Sequence, residues 1–130
     1  VYVVNESILI ENIQYNFNDY KLKDVSLPQL DNLASVLQLK PDFDVVISSY
    51  TDKRGDPNYN MKLSQKRAQS VVNYLSTKGI DMQRMKAKGY GANNPIIENA
   101  KTEEDHQLNR RTEFRLIPNA AAKAKMESNK

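Results

Sequence analysis

An acid and a base flank a single turn near the middle of the chain. Asp52 follows an apolar run, Gly55 and Pro57 supply the turn, and Arg67 lies further along in a stretch with helical spacing. Ligands of open α/β sheets bind outside the carboxyl ends of strands, which is where Asp52 is expected. A carboxylate and a guanidinium facing one pocket match a ligand that carries an ammonium and a carboxylate. These residues predict a site for a small zwitterionic, amino-acid-like group.

Arg67 is placed unusually, because it projects into the apolar side of its predicted helix. Asn60 and Arg67 both fall at the edge of the stripe formed by Leu63 and Val71. A charge in such a place is costly unless it is paired. It could form an internal salt bridge with Asp52, or it could lie at the rim and offer its guanidinium to a ligand carboxylate. The residues alone leave both alternatives open.

Residues for catalysis are scarce. The single histidine, His106, has Glu104 and Asp105 beside it in a polar stretch, which is more typical of a solvated loop residue than of a general base. No nucleophile elbow occurs, and the aspartates around the second strand lack a metal-ligand spacing. The absence of cysteine excludes disulfides, thiol catalysis and cysteine-based zinc sites. We therefore expect no enzymatic activity, no cofactor and no metal.

The charge balance argues against nucleic acid as a partner. The formal net charge is +3, but residues 119–130 carry three lysines and one glutamate, so the rest of the chain has a net charge of +1. A nearly balanced domain lacks the basic surface that phosphate backbones require. No apolar run reaches the length of about 18 residues needed for a membrane span, so we expect no membrane insertion by this stretch.

The N-terminal half predicts a strand, a helix and a second strand. Residues 7–17 alternate apolar and polar positions, as expected of a strand with one buried face. Ser26 followed by Pro28 and Gln29 predicts a helix start with a capping box. A stripe at helical spacing then follows until Pro41, formed by Leu27, Leu30, Leu33, Ala34 and Leu37. The run 43–49 is apolar on both faces, which predicts a central strand covered on both sides.

The C-terminal half predicts the remaining elements. A second helix begins near Pro57 with Asp56 as its N-cap and ends before Gly79. Further elements are predicted over 85–90 (strand), 102–108 (short helix) and 111–117 (strand), the last with Thr112, Phe114 and Leu116 on one face.

Together these elements predict an α/β (α+β) two-layer sandwich of order β-α-β-α-β-β, with helices packed on one face of a mixed four-stranded sheet. Residues 1–118 would form the domain. Residues 119–130, rich in Ala and Lys, would form a disordered tail.

A series of short motifs occupies the middle of the chain, namely Thr51-Asp52, Gly55, Tyr59-Asn60, Leu63-Ser64, Arg67-Ala68 and Lys78-Gly79. Three more motifs lie on either side of them, namely Tyr15-Asn16-Phe17-Asn18, Gly89-Tyr90-Gly91 and Asn109-Arg110-Arg111. In type and order these motifs resemble the signature of the OmpA/MotB/Pal family of peptidoglycan-binding domains. The resemblance covers about residues 7–117.

This resemblance implies non-catalytic, non-covalent binding of peptidoglycan through the diaminopimelate of its stem peptide. Such a domain would anchor an outer-membrane or envelope protein to the cell wall, in the periplasm, with other envelope or secretion-complex proteins as further partners. The alternative is a protein–protein interaction module of the envelope, in which an Asp52–Arg67 pair is only structural.

The resemblance also implies residue roles. Asp52 would meet the amine-bearing end of diaminopimelate, Arg67 would clamp its carboxylate, and Asn60 would add an amide hydrogen bond. Further groove residues would be Arg54, Asn18, Thr51, Tyr50 and Arg110, with Arg111 as the alternative to Arg110.

Two departures from the family pattern concern the groove. Tyr50 stands where relatives usually have histidine, which would make the wall bulkier. Asn16 and Asn18 replace aspartates, which would remove negative charge near the ligand amine.

Overall fold

A computed structural model of the chain describes residues 6–9 (backbone), 13, 15, 19–120 and 124. In chain order its elements are β1 (Glu6–Leu9), α1 (Leu27–Leu39), β2 (Phe43–Tyr50), α2 (Pro57–Thr77), β3 (Met85–Gly89), α3 (Glu103–Asn109) and β4 (Arg111–Pro118). Short 3-10 turns precede α1 and β3. Within the described residues, no helix combines the length and apolar character needed to cross a membrane.

The sheet is mixed, with β4 pairing antiparallel to β2 and β2 pairing parallel to β3. The backbone of β1 aligns antiparallel to β4, which gives the strand order β1-β4-β2-β3. The predicted α+β class with a mixed sheet is confirmed. The predicted element order lacked α3, although the short helix expected at 102–108 corresponds to it.

The core lies between the helices and one face of the sheet. Leu30 and Leu37 of α1 and Val71 and Leu75 of α2 are fully buried, together with Phe114 of β4. The predicted helical stripes are therefore confirmed, with Leu27 only half-buried at the start of α1. Helix α2 begins as predicted, because the Asp56 side chain accepts a hydrogen bond from the Tyr59 backbone N–H at 2.8 Å.

Helix α1 begins differently from the prediction. Ser26 ends a 3-10 turn in the right-handed helical conformation, and its side chain makes no capping hydrogen bond. An N-cap residue that accepts from N2 or N3 normally has extended backbone angles, which the turn prevents. The predicted capping box with Gln29 is therefore wrong, while the proline in the first turn is as expected.

Strand β2 is central between β4 and β3 but is not covered on both faces. Its residues alternate between buried and half-exposed, with Phe43, Val45, Ile47 and Ser49 facing the helices. Asp44, Val46, Ser48 and Tyr50 occupy the opposite face. The prediction failed because an apolar residue at 46 does not by itself show that a second layer lies above it.

Helix α2 and the end of β3 approach very closely at Gly89. A Cβ atom at this position would overlap the backbone N of Gln65 and lie 2.5 Å from its Cα. The Gln65 side-chain amide bonds the strand, donating to the Ala87 carbonyl at 3.0 Å and accepting from the Gly89 N–H at 2.8 Å. Ser64 Oγ accepts from the Gly91 N–H at 2.9 Å. These contacts fix α2 against the loop that follows β3.

The two ends of the chain are described only in part. The strand predicted at 7–17 is represented by β1 and by Tyr15, which forms an isolated bridge with Leu22. Asn119 hydrogen-bonds back to the domain, where its side chain donates to the Pro41 carbonyl at 2.8 Å. Most of the predicted tail 119–130 lies outside the described residues, so the domain boundary stays a prediction.

Candidate functional site

The loop between β2 and α2 is held in place by hydrogen bonds from Thr51 and from Asn60 in the first turn of α2. The Thr51 N–H donates to the Gly91 carbonyl at 2.7 Å, and Thr51 Oγ1 donates to the Asp52 carbonyl at 3.0 Å. Asn60 Nδ2 donates to the Arg54 carbonyl at 2.9 Å. Thr51 and Asn60, both buried, therefore position the loop, and their predicted contact with a ligand stays a prediction.

Asp52 is surrounded by donors from this chain. Its Oδ1 accepts from the Arg54 backbone N–H at 2.9 Å and from Arg54 Nε at 3.2 Å. Its Oδ2 accepts from Arg54 Nη2 at 2.9 Å and from Arg110 Nη1 at 2.6 Å. A carboxylate offers about four lone-pair sites, so Asp52 is saturated as the structure stands.

These contacts set the ionisation of Asp52. Burial alone would raise its pKa, but the hydrogen bonds from Arg54 and Arg110 outweigh burial and hold the pKa well below its ordinary value. Asp52 is therefore ionised across the physiological range, and its charge organises two guanidinium groups.

Glu103, in the first turn of α3, closes a ring of four charges. Its Oε1 accepts from Arg110 Nη2 at 2.7 Å, and its Oε2 lies 3.2 Å from Arg54 Nη1. Each arginine thus contacts both Asp52 and Glu103. The hydrogen bond from Arg110 is the main cause that lowers the pKa of Glu103. Helix α3 is fixed at this point by a capping box between Thr102 and Asp105.

Arg67 is the exception to this pairing. It is half-buried, and its Nε donates to the backbone carbonyl of Asp19 at 3.0 Å. Its guanidinium carbon lies 4.8 Å from the centre of the Tyr15 ring. Burial lowers the pKa of Arg67, and the nearby positive charge of Arg110 lowers it further. Within the described part of the chain Arg67 forms no ion pair, so the internal Asp52–Arg67 salt bridge left open by the sequence is not formed.

The Tyr15 ring packs against the Arg67 guanidinium and is itself held by hydrogen bonds. Its hydroxyl shares a hydrogen bond with Thr112 Oγ1 at 3.2 Å, and Thr112 Oγ1 shares another with Ser49 Oγ at 3.1 Å. Burial raises the pKa of Tyr15, whereas the bond with Thr112 lowers it. This series of hydrogen bonds, from Ser49 through Thr112 to Tyr15, connects the end of β2 to the ring that contacts Arg67.

Tyr50 contacts Tyr90 and Arg111. Its ring stacks on Tyr90 with centroids 5.1 Å apart, and the Arg111 guanidinium carbon lies 3.8 Å from its centroid. Because Tyr50 is paired with Arg111 across the strands, both lie on the sheet face opposite Ser49 and Thr112. Arg111 also pairs with Glu113 at 2.6 Å, so Arg110 is the one of the two arginines that reaches Asp52. A ligand contact by Tyr50 stays a prediction.

Asn18 and His106 are the remaining residues on which the sequence made a prediction. Asn18 lies outside the described residues. His106 was expected to be a solvated loop residue, but it lies in α3 with 7% of its surface exposed, and its Nδ1 has no hydrogen-bond partner among the described residues. That expectation is wrong, because α3 turns the histidine inward while Glu104 is exposed and Asp105 is half-buried. Within the described ranges, no group of acidic residues and histidine could hold a metal ion.

Three residues that contact the charged groups of the site were not predicted from the sequence, namely Glu103, Tyr15 and Asp19. Arg110 lies just beyond both the predicted helix at 102–108 and the observed α3, so helical spacing within that element did not indicate its contact with Glu103. Asp19 contributes only a backbone carbonyl, for which side-chain type carries no signal.

Comparison with known proteins identifies the family of this chain. The model of the OmpA family matches residues 14–110. The chain belongs to the OmpA family. Outer membrane protein A of Shigella flexneri is 44% identical over 93 residues, which cover 70% of this chain and 27% of that protein. The chain spans less than half the length of curated relatives such as this one, with shares from 13% to 48%.

Solved OmpA-family structures share the fold. The peptidoglycan-associated lipoprotein from Burkholderia pseudomallei is 30% identical with a TM-score of 0.73, covering 80% of this chain and 87% of that chain. The cell wall anchor of the T6SS from Pseudomonas aeruginosa is 28% identical with a TM-score of 0.72, covering 87% of this chain and 80% of that chain.

The lowered pKa of Asp52 predicts a specific loss of stability in acid. The unfolded carboxyl titrates near pH 3.9, whereas the folded one titrates lower, so the unfolded chain binds more protons as pH falls below about 5. The free energy of unfolding should therefore decrease in acid. Asp52→Asn should lose about 1–3 kcal/mol at pH 7, and this loss should be smaller by about 1 kcal/mol at pH 3, where the folded carboxyl is still ionised but the unfolded one is mostly protonated. Urea unfolding of both proteins between pH 7 and pH 3 measures this difference, and parallel pH curves would contradict it.

Proposed function

We propose that this domain binds peptidoglycan without catalysis and without a covalent bond, through the diaminopimelate of the stem peptide, and so anchors an envelope protein to the cell wall in the periplasm. The observation that carries the proposal is Arg67, a half-buried guanidinium with no ion pair in the described part of the chain. An unpaired buried charge is costly, and a ligand carboxylate would compensate it.

The relatives support this proposal through their own functions. One similar structure is a peptidoglycan-associated lipoprotein, and another is a cell wall anchor. Because the chain spans only part of its curated relatives, the parent protein and its assembly with other envelope or secretion-complex proteins belong to the proposal as well.

The two charges of diaminopimelate would be received differently. Arg67 would take the carboxylate through its Nη1 and Nη2 nitrogens, since Nε is already bonded to the Asp19 carbonyl. Asp52 would take the ammonium, but its four hydrogen bonds are complete, so the ammonium must replace a donor. The bond from Arg54 Nε to Oδ1 is the longest of the four at 3.2 Å, so the ammonium would replace this donor while Arg54 Nη2 and Arg110 Nη1 keep their bonds to Oδ2.

The competing hypothesis of a protein–protein interaction module has lost its structural argument. It needed Arg67 to be neutralised by Asp52 within the domain. The structure instead pairs Asp52 with Arg54 and Arg110. Among the described residues Arg67 forms no salt bridge, and the Asp19 carboxylate acts on it only through its charge from a longer distance.

Co-sedimentation with purified diaminopimelate-type sacculi tests the proposal. The wild-type domain should pellet with sacculi and stay in the supernatant without them. Free diaminopimelate should release it, whereas lysine, which has the same ammonium groups but one carboxylate fewer, should be much less effective. No pelleting would refute anchoring by this domain. Pelleting that diaminopimelate and lysine affect equally would refute diaminopimelate as the recognised group.

A further inference from the structure

We propose that Glu103 occupies the place of a ligand carboxylate in the unliganded domain, and that the stem peptide binds by replacing it between Arg54 and Arg110. This inference rests on the proposed function and deepens it, because it assigns a second carboxylate site and a residue that sets its affinity. Glu103 is then an internal competitor of the ligand.

The geometry of the ring makes this exchange possible. Arg54 directs Nε and Nη2 at Asp52 and Nη1 at Glu103, whereas Arg110 directs Nη1 at Asp52 and Nη2 at Glu103. The shortest distances from Arg54 and Arg110 are 2.9 and 2.6 Å to Asp52, and 3.2 and 2.7 Å to Glu103. The two guanidinium groups thus present a pair of donors spaced for a single carboxylate. The Glu103 carboxylate binds both guanidinium groups in the way that a ligand carboxylate would.

The two acids of the ring differ in how firmly they are held. The Asp52 side chain is 10% exposed and accepts a backbone N–H as well as three guanidinium bonds. The Glu103 side chain is 59% exposed and is joined to the ring by its two arginine contacts. Exposed ion pairs stabilise a fold only slightly, so Glu103 can leave at small cost while Asp52 holds the arginines in position.

The charges explain why an exchange is needed. Asp52 and Glu103 together neutralise Arg54 and Arg110, so the ring offers no unfilled anion site. Replacing one carboxylate by another keeps this balance. Arg67 adds a positive charge within Coulombic range of Arg110, which draws a carboxylate-bearing ligand towards the ring.

The test measures binding of two probes by wild type, Glu103→Gln and the matched control Glu104→Gln. Glu104 is the next residue of α3 and is exposed. The probes are diaminopimelate and acetate, the latter being a carboxylate without an ammonium. Dissociation constants come from NMR titration of the arginine Nε–Hε signals of Arg54 and Arg110. Glu103→Gln should bind both probes roughly 3- to 10-fold more tightly than wild type and Glu104→Gln.

The outcomes separate this inference from the proposed function. Equal affinities in all three proteins would overturn the inference even if wild type pellets with sacculi. Weaker binding by Glu103→Gln would also overturn it and make Glu103 a positioning residue for the arginines. Tighter acetate binding by Glu103→Gln without any pelleting would keep the exchangeable carboxylate site and refute peptidoglycan as its ligand.

Discussion

Replacing Gly89 by alanine is expected to destabilise the domain by about 3 kcal/mol or more, because backbone atoms rather than a flexible side chain would obstruct the new methyl group. The added Cβ would meet the main chain of Gln65 in α2, as well as Ser64 Oγ at 2.5 Å. The end of β3 and helix α2 would have to separate, which would disturb the whole helix–sheet contact. Urea unfolding and the yield of folded protein measure the effect.

Gly79→Ala is the matched control for this prediction. Gly79 follows the C-terminus of α2 with a φ of 92°, but among the described residues a Cβ there would meet only the Gln38 side chain, at 3.8 Å. The control therefore has backbone strain without a clash and should cost about 1 kcal/mol. If Gly89→Ala were no less stable than Gly79→Ala, the close approach of β3 to α2 would be wrong.

Arg67→Ala is expected to reduce binding to sacculi by about tenfold or more while the domain stays folded. A charge-assisted hydrogen bond to a ligand carboxylate contributes roughly 1.5–3 kcal/mol, which corresponds to this loss of affinity. The fold loses only the bond to the Asp19 carbonyl and the contact with the Tyr15 ring, because Arg67 forms no ion pair in the described part of the chain. Thermal unfolding should confirm that the variant is folded at the assay temperature.

Lys66→Ala provides the control, because it removes the same charge from the neighbouring, exposed position of α2. Lys66 lies over the Tyr20 ring at 5.4 Å and should affect sedimentation little. Equal pelleting of the two variants would show that net charge or another residue, rather than Arg67, determines binding.

Local chemistry made the second helix predictable. Its cap at Asp56 and its end before Gly79 depend on neighbouring residues, and its apolar stripe repeats over 21 residues. Signals of this kind depend only on residues within the helix or next to its ends. Ser26 also has the residue type of an N-cap, but the predicted capping box did not form. The 3-10 turn before α1 sets the backbone of Ser26, and this turn depends on the conformation of the preceding residues.

The partners of the charged residues were not predictable in the same way. Asp52 and Arg110 are 58 residues apart, so their contact depends on how the sheet and α3 are assembled. The sequence placed Asp52 and Arg67 in one neighbourhood but did not show that Asp52 would be shared by two other arginines. The residue types at the site were foreseeable, whereas their pairing required the tertiary structure.

The Gln65 side chain has a consequence for how this domain behaves among many copies of itself. Strand β3 is the last strand of the order β1-β4-β2-β3, and a bare edge strand offers its main-chain groups to the sheet of another molecule. By bonding the Ala87 carbonyl and the Gly89 N–H, Gln65 occupies groups through which such a pairing would begin. The same close approach that leaves no room for a Cβ at Gly89 therefore leaves fewer main-chain groups at this edge for pairing with another molecule.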